Sequence, residues 1–194
     1  ARGSYSTLFL TAGKKEPYLV AMTDPHKISP LVVGRKDDNW YFASESSVLK
    51  RLGVSEFWDV DGGTIVSVRP GDDEPMSKTV VRKKKHHCMF EWVYFADPSS
   101  WIEGRSVHQA RVEIGKDLGR RTAPEDADIV VPVPESGRRY AIGFASASGI
   151  PIEEGLKKDK NHRAFILQTQ EQRDEKARDN MWALEAALEL ENRN

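Results

Sequence analysis

The sequence predicts a chain of two textures, an antiparallel α+β first half followed by a parallel-sheet α/β second half. Three observations carry this. Up to about residue 81, short β-prone runs alternate with turn signals such as Ala12-Gly13-Lys14-Lys15, Asp24-Pro25, Lys36-Asp37-Asp38-Asn39 and Asp61-Gly62-Gly63. From Met89 onward strand-like and helical patterns alternate, the order of βα units. Between Asp128 and Gly137 a continuous apolar run, Ile129 to Val133, enters a Pro134-Glu135-Ser136-Gly137 turn that opens a helix. Such a run marks a strand buried on both faces of a parallel sheet.

Composition narrows the classes. With 194 residues, 39% hydrophobic and 30% charged, the chain has the balance of a soluble globular protein. A net charge of −1 gives no overall field for nucleic acid or an anionic membrane. No apolar run approaches the roughly 20 residues that span a bilayer, and Ala1-Arg2-Gly3-Ser4-Tyr5 lacks the apolar core of a signal peptide. One cysteine, Cys88, excludes an internal disulfide framework and fits a reducing compartment, so the cytoplasm is expected.

Six strands are expected in the first half: Thr7 to Leu10, Tyr18 to Met22, Leu31 to Val33, Trp40 to Phe42, Phe57 to Val60 and Thr64 to Val68. A short helix interrupts them, with Ser46 or Ser47 as N-cap, Val48, Leu49 and Leu52 turned inward, and Gly53 as its stop. Residues 70–87 read as a linker. It contains the basic run Arg82-Lys83-Lys84-Lys85-His86-His87, which would serve nucleic acid or simply form a solvated linker or edge strand. The nearby acidic Asp72 to Glu74 favours the plainer reading.

In the second half, Met89 to Phe95 reads as an aromatic strand. Ser106-Val107-His108-Gln109 is a capping box that starts a helix with Val107, Ala110, Ile114 and Leu118 on one face. The Ile129 strand follows, then a helix starting at or near Ser136 with Tyr140, Phe144 and Ala147 at helical spacing. Gly149 and Ile150-Pro151 end it. A last helix is expected from about Glu171 to Leu190, with Ala177, Met181, Leu184 and Leu188 in one stripe.

Ser136 is the leading candidate for chemistry. No Gly-x-Ser-x-Gly elbow surrounds it, which argues against a hydrolase nucleophile. Phosphate binding at the helix start and plain N-capping both stay open. No Walker or Gly-x-Gly-x-x-Gly motif points to nucleotide hydrolysis or a dinucleotide. His86, His87 and Cys88 are adjacent, so on a strand they point to opposite faces and cannot share one zinc. His108 has no second histidine one turn away. Lys157 to Arg163 forms a polar basic loop suited either to covering an anionic substrate or to solvent.

Taken together, four segments of the second half resemble glutamine phosphoribosylpyrophosphate amidotransferase, or amidophosphoribosyltransferase. They are residues 88–100, Ser106 to Arg111, Val131 to Gly137 and Ala147 to Pro151. In the first half, Gly3 to Ser6, Asp24 to Leu31 and Ala43 to Ser46 are similar to the later part of that family's glutaminase domain. The resemblance implies residues 1–85 as part of an Ntn-hydrolase glutaminase domain and its linker. Residues 86–194 would be part of a type I phosphoribosyltransferase domain with a Rossmann-like parallel sheet. It implies formation of 5-phosphoribosylamine from the sugar diphosphate PRPP and glutamine-derived ammonia, the first committed step of purine synthesis.

By that resemblance, Pro134, Glu135, Ser136 and Gly137 form the pyrophosphate loop, with Ser136 beside Mg²⁺ and Lys158 on the loop that closes over the sugar. Cys88 matches an iron–sulfur ligand position of some members. Purine nucleotides are implied as feedback inhibitors, and a homo-oligomer as the assembly. No catalytic residue is expected in this chain. The family's N-terminal cysteine nucleophile and paired aspartates fall outside the matching segments, so the chain reads as an internal fragment. It departs from the family pattern at Lys158-Asp159-Lys160-Asn161-His162-Arg163-Ala164-Phe165, one residue short and without a glycine, and at Asp97, where an arginine is usual. A binding-only paralogue of the same fold is the alternative these departures motivate.

Overall fold

The computed structural model describes residues 2–12, 16–158 and 167–184, which fall into two compact units, Ala1–Gln109 and Ala110–Asn194. The family-level boundary expected near residue 85 is a separate matter from this division by compactness.

The first unit is built on two antiparallel sheets. One has the order β1-β2-β6-β7, from β1 (Ser6–Thr11), β2 (Tyr18–Thr23), β6 (Thr64–Val68) and β7 (Met76–Thr79). The other has the order β4-β3-β5, from β3 (Val32–Lys36), β4 (Asn39–Ala43) and β5 (Glu56–Asp59). Register follows side-chain parity, because neighbouring residues on a strand face opposite ways. Val33 thus joins Ala21, Leu31, Val60 and Val66 in one core. Val32, on the other face, packs with Leu49 and Val54 under α1 (Ser46–Arg51). At Gly34 a Cβ would stand 2.7 Å from Val54 Cγ1, so only glycine lets this strand lie so close to the segment that follows α1.

All six expected strands form, within three residues of their predicted ends. Three details differ. Glu45, not Ser46 or Ser47, is the N-cap of α1. Of the three apolar side chains expected to turn inward, Leu49 is buried while Val48 and Leu52 are exposed. Gly53, with φ of 75°, is the stop as expected. Thirdly, the presumed linker contains an edge strand, β7, which pairs with β6. Its sequence Met76-Ser77-Lys78-Thr79 carries little apolar signal because an edge strand buries little.

The aromatic run from Met89 to Phe95 is helical, not a strand. Glu91–Phe95 forms one π-helical turn, closed by the Ala96 N–H donating to the Glu91 carbonyl at 3.1 Å. Trp92 packs on Ala96, Ile102 and Val107, whereas Phe90, Tyr94 and Phe95 remain exposed. Short apolar runs do not distinguish helix from strand by periodicity. A two-stranded ribbon, β8 (Trp101–Ile102) with β9 (Arg105–Ser106), leads into α2 (Val107–Thr122), where the Ser106 hydroxyl accepts from the Gln109 N–H at 3.3 Å.

In the second unit α2 meets α3 (Arg138–Ser148) through glycine. A Cβ on Gly115 would stand 2.1 Å from the Tyr140 carbonyl oxygen, and one on Gly143 2.0 Å from that of Val112. Gly119 approaches Phe144 in the same way. The buried residues of α2 are Val107, Arg111, Val112, Gly115 and Gly119, so Val107 of the expected stripe is buried while Ile114 and Leu118 are exposed. A parallel bridge joins Val130 to Ile152 across α3, a βαβ connection. Within the described residues it is the extent of the expected parallel sheet, and Ile129, Val130 and Val131 are half-buried while Val133 is exposed. The last helix also differs: α4 (Gln170–Asn180) ends early, and β11 (Met181–Ala183) pairs antiparallel with β10 (Leu156–Lys158). Met181 is thus in a strand, and Leu188 and Leu190 lie outside the described residues. A full capping box between Thr169 and Gln172 fixes the start of α4.

Gly143→Val is expected to force α2 and α3 apart and to destabilise by about 1–3 kcal/mol or more, as overpacking does. Gly149→Ala, at a cap with open space around it, is expected to cost about 1 kcal/mol. Urea unfolding of the two variants checks the order; equal losses would contradict the close contact.

Candidate functional site

At the expected strand-turn-helix junction the strand is reduced to one bridge at Val130, and the turn and α3 follow it. The Val130 N–H donates to the Pro151 carbonyl at 2.8 Å and the Glu153 N–H to the Val130 carbonyl at 3.0 Å, anchoring the segment that feeds the turn. Pro132 and Pro134 are buried, and the peptide between Pro134 and Glu135 is cis. The turn doubles back tightly: the Gly137 N–H donates to the Val133 carbonyl at 3.0 Å, and a Cβ on Gly137 would sit 2.6 Å from that oxygen. Gly137 takes the N-cap position expected near Ser136.

Ser136 and Glu135 are consequently exposed at the helix start, and Ser136 makes no hydrogen bond among the described residues. Of the alternatives read from sequence, plain capping is therefore not what this hydroxyl does. Arg138, the first residue of α3, reaches Glu154 Oε1 at 3.3 Å and lies 3.9 Å from Glu135 Oε2. Its Nε is buried and has no hydrogen-bond acceptor among the described residues. Further along α3, burial raises the Tyr140 hydroxyl, opposed by the charge and hydrogen bond of the buried Arg111.

Lys158 stands exposed at the end of β10, opposite Met181, and residues 159–166 of the expected covering loop lie outside the described residues. The structure thus makes one contiguous group of Pro134, Glu135, Ser136 and Gly137 and places Lys158 on a separate ribbon. Hard oxygen donors at an exposed turn, the Ser136 hydroxyl and the Glu135 carboxylate, suit Mg²⁺, which keeps waters and takes few protein ligands. Cys88, which the resemblance matches to an iron–sulfur ligand position, is half-buried beside His87 and Trp92. Among the described residues no three His, Cys, Asp or Glu side chains are grouped to hold a metal.

The first unit contains an ionic cluster that sequence reading missed. Lys27, its side chain 1% exposed, donates to Glu103 Oε1 at 2.9 Å and to Asp59 Oδ1 at 3.4 Å. Lys85 donates to the same Glu103 oxygen at 2.6 Å and lies 3.0 Å from Asp61. His87 Nε2 lies 3.3 Å from Glu103 Oε2, out of line for a hydrogen bond. Burial by itself would raise the Glu103 carboxyl, but the hydrogen bonds and charges of Lys85 and Lys27 prevail and lower it from 4.5 to about 2. Half of the basic run is thus engaged internally through Lys85, His86 and His87, the His86 N–H donating to the His26 carbonyl at 2.8 Å. Its only advance signal was Glu103-Gly104, a turn pair between short strands.

Two motifs that carried the resemblance also meet. The Glu45 carboxylate accepts from the Asp97 N–H at 2.7 Å and the Ser100 hydroxyl at 2.9 Å, while Ser46 Oγ accepts from the Trp101 N–H at 2.8 Å. Glu91, nearby, is raised by burial and by the Glu45 charge. Asp97, the residue that departs from the family's arginine, accepts from Arg51 Nη2 at 2.9 Å.

An antiparallel two-sheet unit followed by a βαβ unit with an exposed turn at the start of its helix is the class that fold and site define. No protein-family model matches the chain. The amidophosphoribosyltransferase of Pyrococcus horikoshii is 43% identical over 167 residues, 86% of this chain and 35% of the relative. That of Methanocaldococcus jannaschii is 36% identical over 202 residues, 96% of this chain and 42% of the relative. Among solved structures, glutamine PRPP amidotransferase from B. subtilis, complexed with ADP and GMP, superposes with a TM-score of 0.82 at 32% identity. It covers 97% of this chain and 40% of that one. The chain is a relative of the amidophosphoribosyltransferases, as its motifs implied, and spans about a third of the length of the curated relatives it matches.

Because the folded Glu103 carboxyl lies below its ordinary value, its contribution to stability is full above pH 4.5 and fades as pH falls from 4.5 through about 2. Glu103→Gln is expected to lower stability at neutral pH and to flatten this acid limb. Denaturant midpoints measured from pH 7 to pH 2 test it; parallel wild-type and variant profiles would count against the cluster.

Proposed function

We propose that the chain is part of an amidophosphoribosyltransferase, forming 5-phosphoribosylamine from PRPP and glutamine-derived ammonia with release of pyrophosphate. In this reading the first unit belongs largely to the Ntn-type glutaminase part and the second to the type I phosphoribosyltransferase part. The observation that carries it is the free Ser136 hydroxyl at the turn into α3, in a chain whose curated relatives bear that enzyme's name.

Each residue of the turn has a role in this reading. Gly137 lets the backbone fold against Val133, which leaves Glu135 and Ser136 presented at the helix start, where the helix dipole favours an anion. Ser136 donates to the leaving pyrophosphate or binds the metal beside it. The Arg138 guanidinium, at the first residue of α3, adds positive charge beside the same group. Mg²⁺ supplies charge neutralisation on the departing pyrophosphate when bound. Ammonia's lone pair attacks ribose C1 as the C1–O bond breaks, the electron pair leaves with pyrophosphate, and the amine then loses a proton. Lys158 is assigned to the covering loop, where it neutralises phosphate charge. ADP and GMP, found with the solved relative, make purine nucleotides the expected effectors. The name shared by the curated relatives does not favour the binding-only alternative.

One charge-assisted hydrogen bond is worth about 1.5–3 kcal/mol, so Ser136→Ala should lower kcat/KM for PRPP roughly ten- to a hundredfold. The measurement is made in the full-length protein with ammonia as nitrogen donor, and glutamine hydrolysis is followed separately as a folding control. An unchanged kcat/KM for PRPP would remove Ser136 from the site.

A further inference from the structure

An open cavity of about 470 Å³ in the first unit is lined by Lys50, Phe57, Trp58, Asp59, Trp101 and Gly104. Its size falls in the range of small-ligand sites, which are mostly apolar with a few placed polar groups. The Lys50 ammonium stands 5.7 Å from the Phe57 ring centroid and 5.6 Å from that of Trp101, held between two aromatic faces. Trp101 is nonetheless 44% exposed and Trp58 40%, a large aromatic surface left to solvent.

The charges facing this cavity are unequal. Asp59 is compensated: its Oδ1 accepts from Lys27 at 3.4 Å and its Oδ2 from the Glu103 N–H at 2.9 Å. Lys50 has no carboxylate partner and no hydrogen-bond acceptor among the described residues. Its positive charge is therefore the one left unanswered. Gly104, with φ of 75° and open space where a Cβ would point, leaves its side of the cavity clear.

We propose that this cavity binds a flat aromatic or heteroaromatic anion, stacked on Trp101 with its negative group on the Lys50 ammonium. The ring supplies sequence-independent stacking area and the anion supplies orientation, because only one fixed cation marks the wall. None of the lining residues belongs to the 134–137 turn, and the proposal does not depend on the reaction assigned to that turn.

The test uses the full protein that carries this chain, followed by tryptophan fluorescence and isothermal calorimetry. Two probe pairs separate the sources of negative charge: indole-3-acetate against indole-3-acetamide, and a nucleoside 5′-monophosphate against its nucleoside. The charged member of at least one pair should bind saturably and roughly tenfold or more tighter than its neutral congener. That preference should vanish in Lys50→Gln. Binding at this site should disappear in Trp101→Leu and persist in Trp101→Phe, which keeps an aromatic face. Thermal midpoints of all variants serve as folding controls. Equal affinity for charged and neutral probes, no saturable binding in either pair, or an unchanged preference in Lys50→Gln would overturn the proposal.

Discussion

A fully buried carboxylate organises the first unit. Asp24 has no solvent exposure, so its charge has to be met entirely by the protein. It accepts from the N–H groups of His26, Ile28 and Ser29 at 3.0–3.2 Å and from that of Tyr5 at 3.4 Å, while its carbonyl accepts from Lys27 and Gly63. These bonds shape the turn that puts Lys27 at φ of 51°, and that turn aims the Lys27 ammonium into the interior. A buried ammonium in turn requires carboxylates, and Asp59 and Glu103 supply them. One turn thereby fixes the end of β2, the start of β6 and the segment before α2.

The second unit is organised by shape, not charge. Gly115, Gly119 and Gly143 let two helix backbones approach within distances that any side chain would forbid. Dispersion between closely packed backbones replaces the interlocking of large side chains. The consequence reaches the turn, since Gly137 opens the same helix that Gly143 seats. The approach of α3 toward α2 and the tightness of the turn at Val133 together hold the start of α3 in place.

Much of this was legible in the sequence, and the exceptions have identifiable causes. Strands β1 to β6 were readable because alternating burial and Gly-, Asn- or Asp-containing turns bracket them. The Pro134 to Gly137 junction was readable because a continuous apolar run meets a small-residue turn. The buried face of α2 was not, because glycine has no hydrophobicity and the exposed Ile114 and Leu118 supplied a stronger false stripe. Met89 to Phe95 failed since aromatic residues favour strands by propensity, whereas here Trp92 alone is packed and a helical turn presents it. The Glu103 cluster was invisible because its members are 76 residues apart at Lys27 and 18 at Lys85. Such convergence is a property of the fold.

The two centres of charge differ in a way that fits their locations. Around Glu103 the charges are paired internally at 2.6–3.4 Å, the arrangement of a permanent structural element. Around Ser136 the pairing is loose: Glu135 is exposed, and its carboxylate lies 3.9 Å from Arg138 Nε, a buried nitrogen with no hydrogen-bond acceptor among the described residues. With the role proposed for this turn, tight internal pairs there would compete with an anionic ligand for each donor, so every binding event would first have to break them. Open donors on a rigid glycine-supported turn avoid that competition, and exposure keeps the cost of desolvating the free site low. The same reasoning applies to Lys50, whose ammonium rests on aromatic faces and can accept an anion without surrendering a salt bridge.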